Sequence, residues 1–140
     1  MTALVLDTSV LIAIIEDEIG ADAAIGRMLR ASALFLSVVN LAELAGVLAR
    51  AGRSPASAVA LCAEMGVESV PFDERFAERV GALARLAVRP PLSLADRCCL
   101  VLASALNAPV LTGDRAWRVD PARFGEVGLT PAPVVEAFRP

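Results

Sequence analysis

Short apolar segments alternate with longer helical segments along this 140-residue chain, and this alternation constrains the fold more than any other feature. Short segments of apolar, β-forming residues predict strands at residues 3–7, 34–38, 109–112 and, as the fifth, 127–129. The segment 67–70, which Pro71 closes, is the candidate for the third strand. Continuous apolar runs are typical of strands buried on both faces of a parallel sheet. The alternation therefore predicts an α/β fold, a three-layer α/β/α sandwich around a parallel sheet of about five strands.

The segments between the predicted strands have helical periodicity. They predict helices over residues 10–15, 21–30, about 40–51, 54–65, 73–88 and 93–106, with Ser54 as a cap and Pro55 in the first turn of the fourth. Only the tail after Pro131 is expected to be peripheral. A chain of this length suits one hydrophobic core, so we expect a single domain over residues 1–140.

A membrane location has to be considered because 56% of the residues are hydrophobic. A spanning helix needs about 20 consecutive apolar residues. The longest stretch without a charged residue, 98–113, contains Asn107, Pro109 and Gly113, which would break such a helix. The opening residues carry Asp7 and no basic region, unlike a signal peptide. We therefore expect a cytoplasmic protein without membrane contact.

Several residue types on which enzymes depend are missing. The chain has no His and no Tyr, and all 13 basic residues are arginines. This excludes Ser-His-Asp and Cys-His mechanisms, His-ligated zinc, the P-loop lysine and Schiff-base chemistry. The three cysteines, Cys62, Cys98 and Cys99, lie in apolar helical patterns and are predicted to be reduced core thiols. Any chemistry must then use acids, hydroxyls, arginines and a metal.

Four of the 16 acids lie in apolar surroundings, where an ionised carboxylate is costly unless it is paired or bound to a metal. Asp7 and Asp114 follow predicted strands, whereas Glu43 and Asp96 fall in the first turns of predicted helices. Strand ends and the helix starts that follow them share one edge of an open parallel sheet, so the four side chains should converge. Because like charges repel, this predicts a site for a hard divalent cation such as Mg²⁺ or Mn²⁺. The net charge of −3 does not oppose this, since bound cations neutralise the acids locally.

Helix capping is the alternative explanation of the same acids. Ser93 and Asp96, like Asn40 and Glu43, have the spacing of a capping box. The two acids that follow strands could likewise be N-caps.

Four segments in order resemble the acidic motifs of the PIN-domain ribonucleases, specifically the VapC-type toxins of bacterial toxin–antitoxin pairs. They are residues 6–9 (LDTS), 37–43 (SVVNLAE), 92–97 (LSLADR) and 111–117 (LTGDRAW), and the likeness extends over nearly the whole chain. Each motif is weak by itself, but four at these intervals are specific.

The resemblance implies an endoribonuclease that depends on Mg²⁺ or Mn²⁺ and whose catalytic residues are Asp7, Glu43, Asp96 and Asp114. On this hypothesis Asp7, Asp96 and Asp114 hold the metal, Glu43 acts in its outer shell, and a metal-activated water cleaves the RNA phosphodiester. The resemblance also implies a toxin that forms a homodimer and binds a cognate antitoxin protein. The apolar faces at residues 42–47 and 83–87 are candidates for these interfaces.

Further residues are expected to support the site or to contact RNA. Small polar residues stand at the supporting positions of the family: Thr8, Ser9, Asn40 and Thr112. Arg97 and Arg115 each adjoin a site acid and could bind phosphate, or else neutralise the acids. Trp117 could stack on a base, or else serve in packing.

Two other functions remain open at this point. A phosphotransfer domain also gathers acids at this edge of a sheet, but a receiver domain needs a lysine, and the aspartate phosphatases have a second Asp where this chain has Ser9. A PIN-like module that binds or assembles without catalysis would have the same sequence features.

Overall fold

A five-stranded, all-parallel sheet forms the centre of the computed structural model, which describes residues 1–114, 117 and 119–140. The strands are β1 (Ala3–Leu6), β2 (Ala33–Ser37), β3 (Val67–Val70), β4 (Val110–Thr112) and β5 (Val135–Ala137). Their order across the sheet is β3-β2-β1-β4-β5, which places β1 at the centre. The predicted parallel α/β fold is confirmed.

Helices cover both faces of the sheet. They are α1 (Thr8–Ile15), α2 (Ala21–Leu29), α3 (Val38–Arg50), α4 (Ala56–Glu64), α5 (Glu74–Ala82), α6 (Leu94–Leu106) and α7 (Pro121–Glu126), with a 3₁₀ turn at Leu83–Arg85 after α5. Helices α1 to α4 contribute to the hydrophobic cluster on one face, and α5 to α7 to the cluster on the other. None of the helices in the described residues is long and apolar enough to cross a membrane.

The position of strand β1, covered by helices on both faces, explains why its sequence is apolar throughout. Leu4 and Leu6 pack into one cluster, whereas Val5 packs into the other, and all three are fully buried. Alternate residues of a strand point to opposite faces, so a strand covered on both faces needs apolar residues at every position. The three cysteines are buried and unpaired, as predicted.

The prediction of the fifth strand was wrong. Residues 127–129 follow the end of α7, where Gly128 has a φ of +80° and the Leu129 N–H donates to the Phe124 carbonyl. A glycine in this conformation ends a helix, and the apolar residue beyond it packs back on the core. Leu129 is accordingly buried. The fifth strand of the structure, β5, lies instead in the tail that was predicted to be peripheral. Phe138, directly after β5, is also buried.

Three helix starts and ends also differ from the predictions. Helix α3 begins at Val38, since the Ser37 hydroxyl accepts the Val39 N–H, and this moves Glu43 from the first turn to the second. The α4 N-cap is Pro55, without a side-chain cap bond, instead of Ser54. The helix predicted over residues 73–88 stops being α-helical at Ala82.

The proposed interface at residues 83–87 does not present a large apolar face. Leu83 and Leu86 are both buried in the core on the side of α5 and α6. Their helical spacing reflects packing against the sheet, so this prediction was wrong.

Candidate active site

Asp7 lies directly after the central strand and is only 4% exposed. Its backbone N–H donates to the Leu111 carbonyl of β4, which continues the pairing of the two strands by one residue. Its carboxylate Oδ2 accepts hydrogen bonds from the Ser9 hydroxyl at 2.6 Å and the Thr112 hydroxyl at 2.8 Å. Although Asp7 occupies the N-cap position of α1, its side chain makes no capping bond. The capping alternative therefore does not explain this acid.

The same hydroxyls connect Asp7 to the loop that follows β4. The Gly113 N–H donates to Ser9 Oγ at 3.0 Å, and the Asp114 N–H donates to Thr112 Oγ1 at 3.0 Å. Because β1 and β4 are adjacent parallel strands, their ends meet at one edge. Asp114 thus stands on the loop that Ser9 and Thr112 hold against Asp7.

Asp96 lies in the first turn of α6, at the start of the helix that packs behind β1. Its Oδ2 accepts the Ser93 N–H at 2.8 Å, and its own N–H donates to the Ser93 hydroxyl at 3.1 Å. These two bonds form the capping box that the spacing of Ser93 and Asp96 predicted as the alternative explanation of this acid. The side chain is half-buried, and the cap bond involves one of its two carboxylate oxygens.

The pKa shifts of Asp7 and Asp96 indicate that the four acids lie close enough to repel one another. Burial raises the pKa of Asp7 to about 6 against the opposing hydrogen bonds from Ser9 and Thr112, and the charges of Asp96 and Glu43 raise it further. Burial likewise raises the pKa of Asp96, the bonds from Ser93 lower it, and the charges of Asp114 and Glu43 raise it.

Asn40 and Thr8 join the two helices that present Asp7 and Glu43. The Thr8 hydroxyl donates to the Asn40 carbonyl at 3.3 Å and accepts the Asn40 Nδ2 proton at 3.0 Å. Both residues are buried, and the Asn40 Oδ1 atom has no hydrogen-bond partner among the described residues. This contact fixes the start of α1 against α3, while Glu43, on the next turn of α3, stays exposed.

Other predicted contact residues lie elsewhere. Arg97 directs its Nη1 to the Val80 carbonyl at 3.1 Å, toward α5 and not toward the acids. Although it follows Asp96 in sequence, Arg97 therefore forms no ion pair with that acid. Trp117 is 1% exposed, so its ring is part of the core and cannot stack on a base. Arg115 lies outside the described residues.

The acids suit a divalent cation in chemistry and in charge. Their carboxylate oxygens are the donors that Mg²⁺ and Mn²⁺ prefer. Asp7 is buried, and its Oδ1 receives no hydrogen bond from the described part of the chain. As the side chains stand, no three Asp, Glu, Cys or His residues in the described ranges are grouped so as to hold a metal ion. The residue types therefore fit a divalent cation, but the side chains of the described residues do not converge on a single metal position.

Gly113 has a requirement that the sequence does not reveal. A Cβ atom at this position would lie 2.9 Å from Phe138 Cζ and 3.1 Å from Arg139 Cζ. The glycine is needed because the segment after β5 packs directly on the loop between Thr112 and Asp114. Phe138 and Arg139 therefore belong to the surroundings of the site, although 25 residues or more separate them from Gly113 in the chain.

Substitution Gly113→Ala should destabilise the fold by roughly 1–2 kcal/mol, because the buried Phe138 ring must shift to admit the methyl group. The free energy of unfolding in urea measures this. Gly81→Ala, within α5 and with no atom within 4 Å of its Cβ position, is the control and should be neutral or stabilising. Equal effects of the two substitutions would contradict the close packing at Gly113.

Comparisons with known proteins agree with the motifs and the geometry. The PIN domain family model matches residues 4–119. No curated protein matches the sequence. Among solved structures, the chain is similar to VapBC2 from Rickettsia felis bound to a promoter DNA fragment, with 16% identity, a TM-score of 0.67 and coverage of 97% of this chain and 98% of that one.

Two further structures are similar over most of their length. A toxin–antitoxin complex from Klebsiella pneumoniae has 18% identity and a TM-score of 0.66, with coverage of 84% of this chain and 92% of that one. DNA-bound VapBC from Salmonella typhimurium has 21% identity and a TM-score of 0.62, with coverage of 99% of each chain. At these identities the likeness shows a shared fold.

Proposed function

Since the chain belongs to the PIN domain family, we propose that it is a metal-dependent endoribonuclease and the toxin of a toxin–antitoxin pair. The observation that carries this proposal is Asp7, a buried carboxylate at the end of the central strand with two other acids raising its pKa. A fold gains no stability from such an arrangement, because burial of like charges is costly. It is useful where a cation is to be bound.

We propose Asp7, Asp96 and Asp114 as the metal-binding residues and Glu43 as a residue that orients water. A divalent cation held there would offset charge on the phosphodiester and make a water molecule more acidic. Ser9 and Thr112 hold the Asp7 carboxylate through Oδ2, so that Oδ1 can face the ion. Glu43 is exposed on α3 and can accept a hydrogen bond from solvent. With no His or Lys in the chain, proton transfer at this site depends on carboxylates and water.

The proposed partners are RNA as the substrate, a cognate antitoxin protein and a second copy of the chain. The similar structures from Rickettsia felis, Klebsiella pneumoniae and Salmonella typhimurium are described as VapBC or toxin–antitoxin complexes, which supports the antitoxin. The α3 segment at residues 42–47 is our remaining candidate for a protein interface. We propose that the whole chain forms one domain and works in the cytoplasm.

Removal of divalent ions should abolish RNA cleavage. The purified chain should cut a fluorescently labelled RNA with Mg²⁺ or Mn²⁺, lose this activity in EDTA, and regain it when Mn²⁺ is added in excess. Gel electrophoresis of the products measures the rate under each condition.

The outcomes separate the proposed function from its alternatives. Full cleavage after thorough metal removal would rule out the metal-dependent mechanism. Absence of cleavage, together with no heat of Mn²⁺ binding in calorimetry, would favour a PIN-like module without catalytic activity.

A further inference from the structure

The segment after β5 packs against the loop that carries Asp114. The Phe138 N–H donates to the Thr112 carbonyl at 3.2 Å, and the Phe138 ring contacts Gly113. The next side chain, Arg139, places its Cζ and Nη1 atoms 3.1 Å from the position of a Cβ on Gly113. A guanidinium group therefore lies against the residue that precedes one of the four acids.

Arg139 is held in this position by two further contacts. Its Nη2 donates to Glu18 Oε1 at 2.7 Å, and its guanidinium lies 5.0 Å from the centre of the Phe138 ring. The side chain is nevertheless 35% exposed. Glu18 binds one of the guanidinium nitrogens, and a guanidinium has five N–H donors in total. Arg139 thus retains donors for a ligand in solvent.

RNA is a polyanion, so its binding at this edge of the sheet is favoured by a positively charged side chain in addition to a bound metal ion. The four acids repel RNA, and Arg97, the arginine next to Asp96 in sequence, is directed toward α5. Arg139 is an arginine that tertiary packing brings to the same edge from another part of the chain. Guanidinium groups bind phosphate oxygens through two N–H donors in a fixed geometry.

Resting on the ribonuclease function proposed above, we propose that Arg139 binds a phosphate of the RNA backbone beside the acid site, with Glu18 holding its side chain in place. The bond to Glu18 fixes the guanidinium but also offsets part of its charge. The interaction is with the backbone, so it should contribute to affinity without regard to sequence.

Arg139→Ala should weaken RNA binding about tenfold, the effect of losing one charged hydrogen-bonded contact. The measurement is fluorescence anisotropy of a fluorescein-labelled single-stranded RNA of mixed sequence in EDTA, at several salt concentrations. The slope of log affinity against log salt should decrease in magnitude by about 0.7, the value for one phosphate contact on a single strand. In cleavage assays with Mn²⁺, KM should rise and kcat should stay unchanged.

Three other variants test whether the effect is local. Arg139→Lys retains the charge and should recover part of the affinity. Arg30→Ala, an exposed arginine after α2 and close to the start of β2, is the control for charge alone and should bind RNA like the wild type. Thermal melting of each variant checks that it is folded.

Glu18→Gln separates phosphate binding from a purely structural tether. If the ion pair only anchors the segment after β5, Glu18→Gln weakens this anchor to a neutral hydrogen bond and should weaken RNA binding in the same direction as Arg139→Ala. If Arg139 binds phosphate, Glu18→Gln leaves the guanidinium with more of its charge, and affinity should be kept or increased.

The results are decisive for both proposals. A wild-type chain that neither binds nor cleaves RNA would contradict the proposed function itself. A wild-type chain that binds RNA, with Arg139→Ala equal to it in affinity and salt dependence, would overturn the role of Arg139 alone. A loss of affinity in Glu18→Gln alongside that in Arg139→Ala would overturn that role as well.

Discussion

The variant Asp7→Asn should lose RNA cleavage by at least about a thousandfold while remaining folded. Asparagine has nearly the same shape, and its Oδ1 can still accept the hydrogen bonds that Ser9 and Thr112 now donate to Asp7. It lacks the negative charge with which Asp7 would bind a divalent cation. A thousandfold loss corresponds to about 4 kcal/mol of transition-state stabilisation, which is reasonable for removal of a direct ligand. The initial rate of cleavage of a labelled RNA in saturating Mn²⁺ measures it.

The matched control for this variant is Asp22→Asn, the same substitution at an exposed acid in the first turn of α2. It should keep wild-type activity, since Asp22 lies outside the acid cluster. In cells, induction of the wild type or of Asp22→Asn should arrest growth, whereas Asp7→Asn should be tolerated. Full cleavage by a folded Asp7→Asn protein would remove Asp7 from the metal site. Equal growth with all three proteins would count against a toxin.

The fold could be predicted from the sequence where the burial of a segment requires apolar residues. Strands β1, β2 and β4 lie inside the sheet between neighbouring strands and are covered by helices, so their apolar runs are long enough to be recognised. Strand β3 lies at one edge of the sheet, and its sequence VESV is only half apolar. Strand β5 is at the edge, has three half-buried residues, and leaves a weaker pattern. The segment 127–129 has a similar composition for another reason, because Gly128 ends α7 and Leu129 packs back on it. Composition alone does not distinguish these two cases.

The acids of the site were predictable because topology determines their position. Strand ends and the helix starts that follow them meet at one edge whatever the details of packing. The direction of a neighbouring side chain is not determined in this way. Arg97 follows Asp96 in sequence, yet successive residues of a helix point about 100° apart, and it contacts α5 instead. Arg139 reaches the site through tertiary contacts with Gly113 and Glu18, which no local pattern records.

The stability of the metal-free protein should fall by roughly 3 kcal/mol as the pH rises from about 4 to about 6, because of Asp7 alone. Burial raises its pKa from 3.8 to about 6, so the folded state retains a proton that the unfolded chain has already lost. The contribution is fully present below pH 3.8 and disappears as the pH rises through 6. Urea unfolding at a series of pH values, in EDTA, measures the wild type.

Comparison with Asp7→Asn isolates this contribution from those of the other acids. The variant cannot ionise at residue 7, so it should exceed the wild type in stability by up to roughly 3 kcal/mol at pH 8 and be closer to it at pH 4. Thr112→Val removes a hydrogen bond that lowers the pKa of Asp7, and it should move the loss of stability to higher pH. Parallel pH profiles for the wild type and Asp7→Asn would mean that burial of the Asp7 charge is not costly. The variant that loses activity should therefore be the more stable protein at neutral pH, because the buried charge needed for cation binding opposes folding.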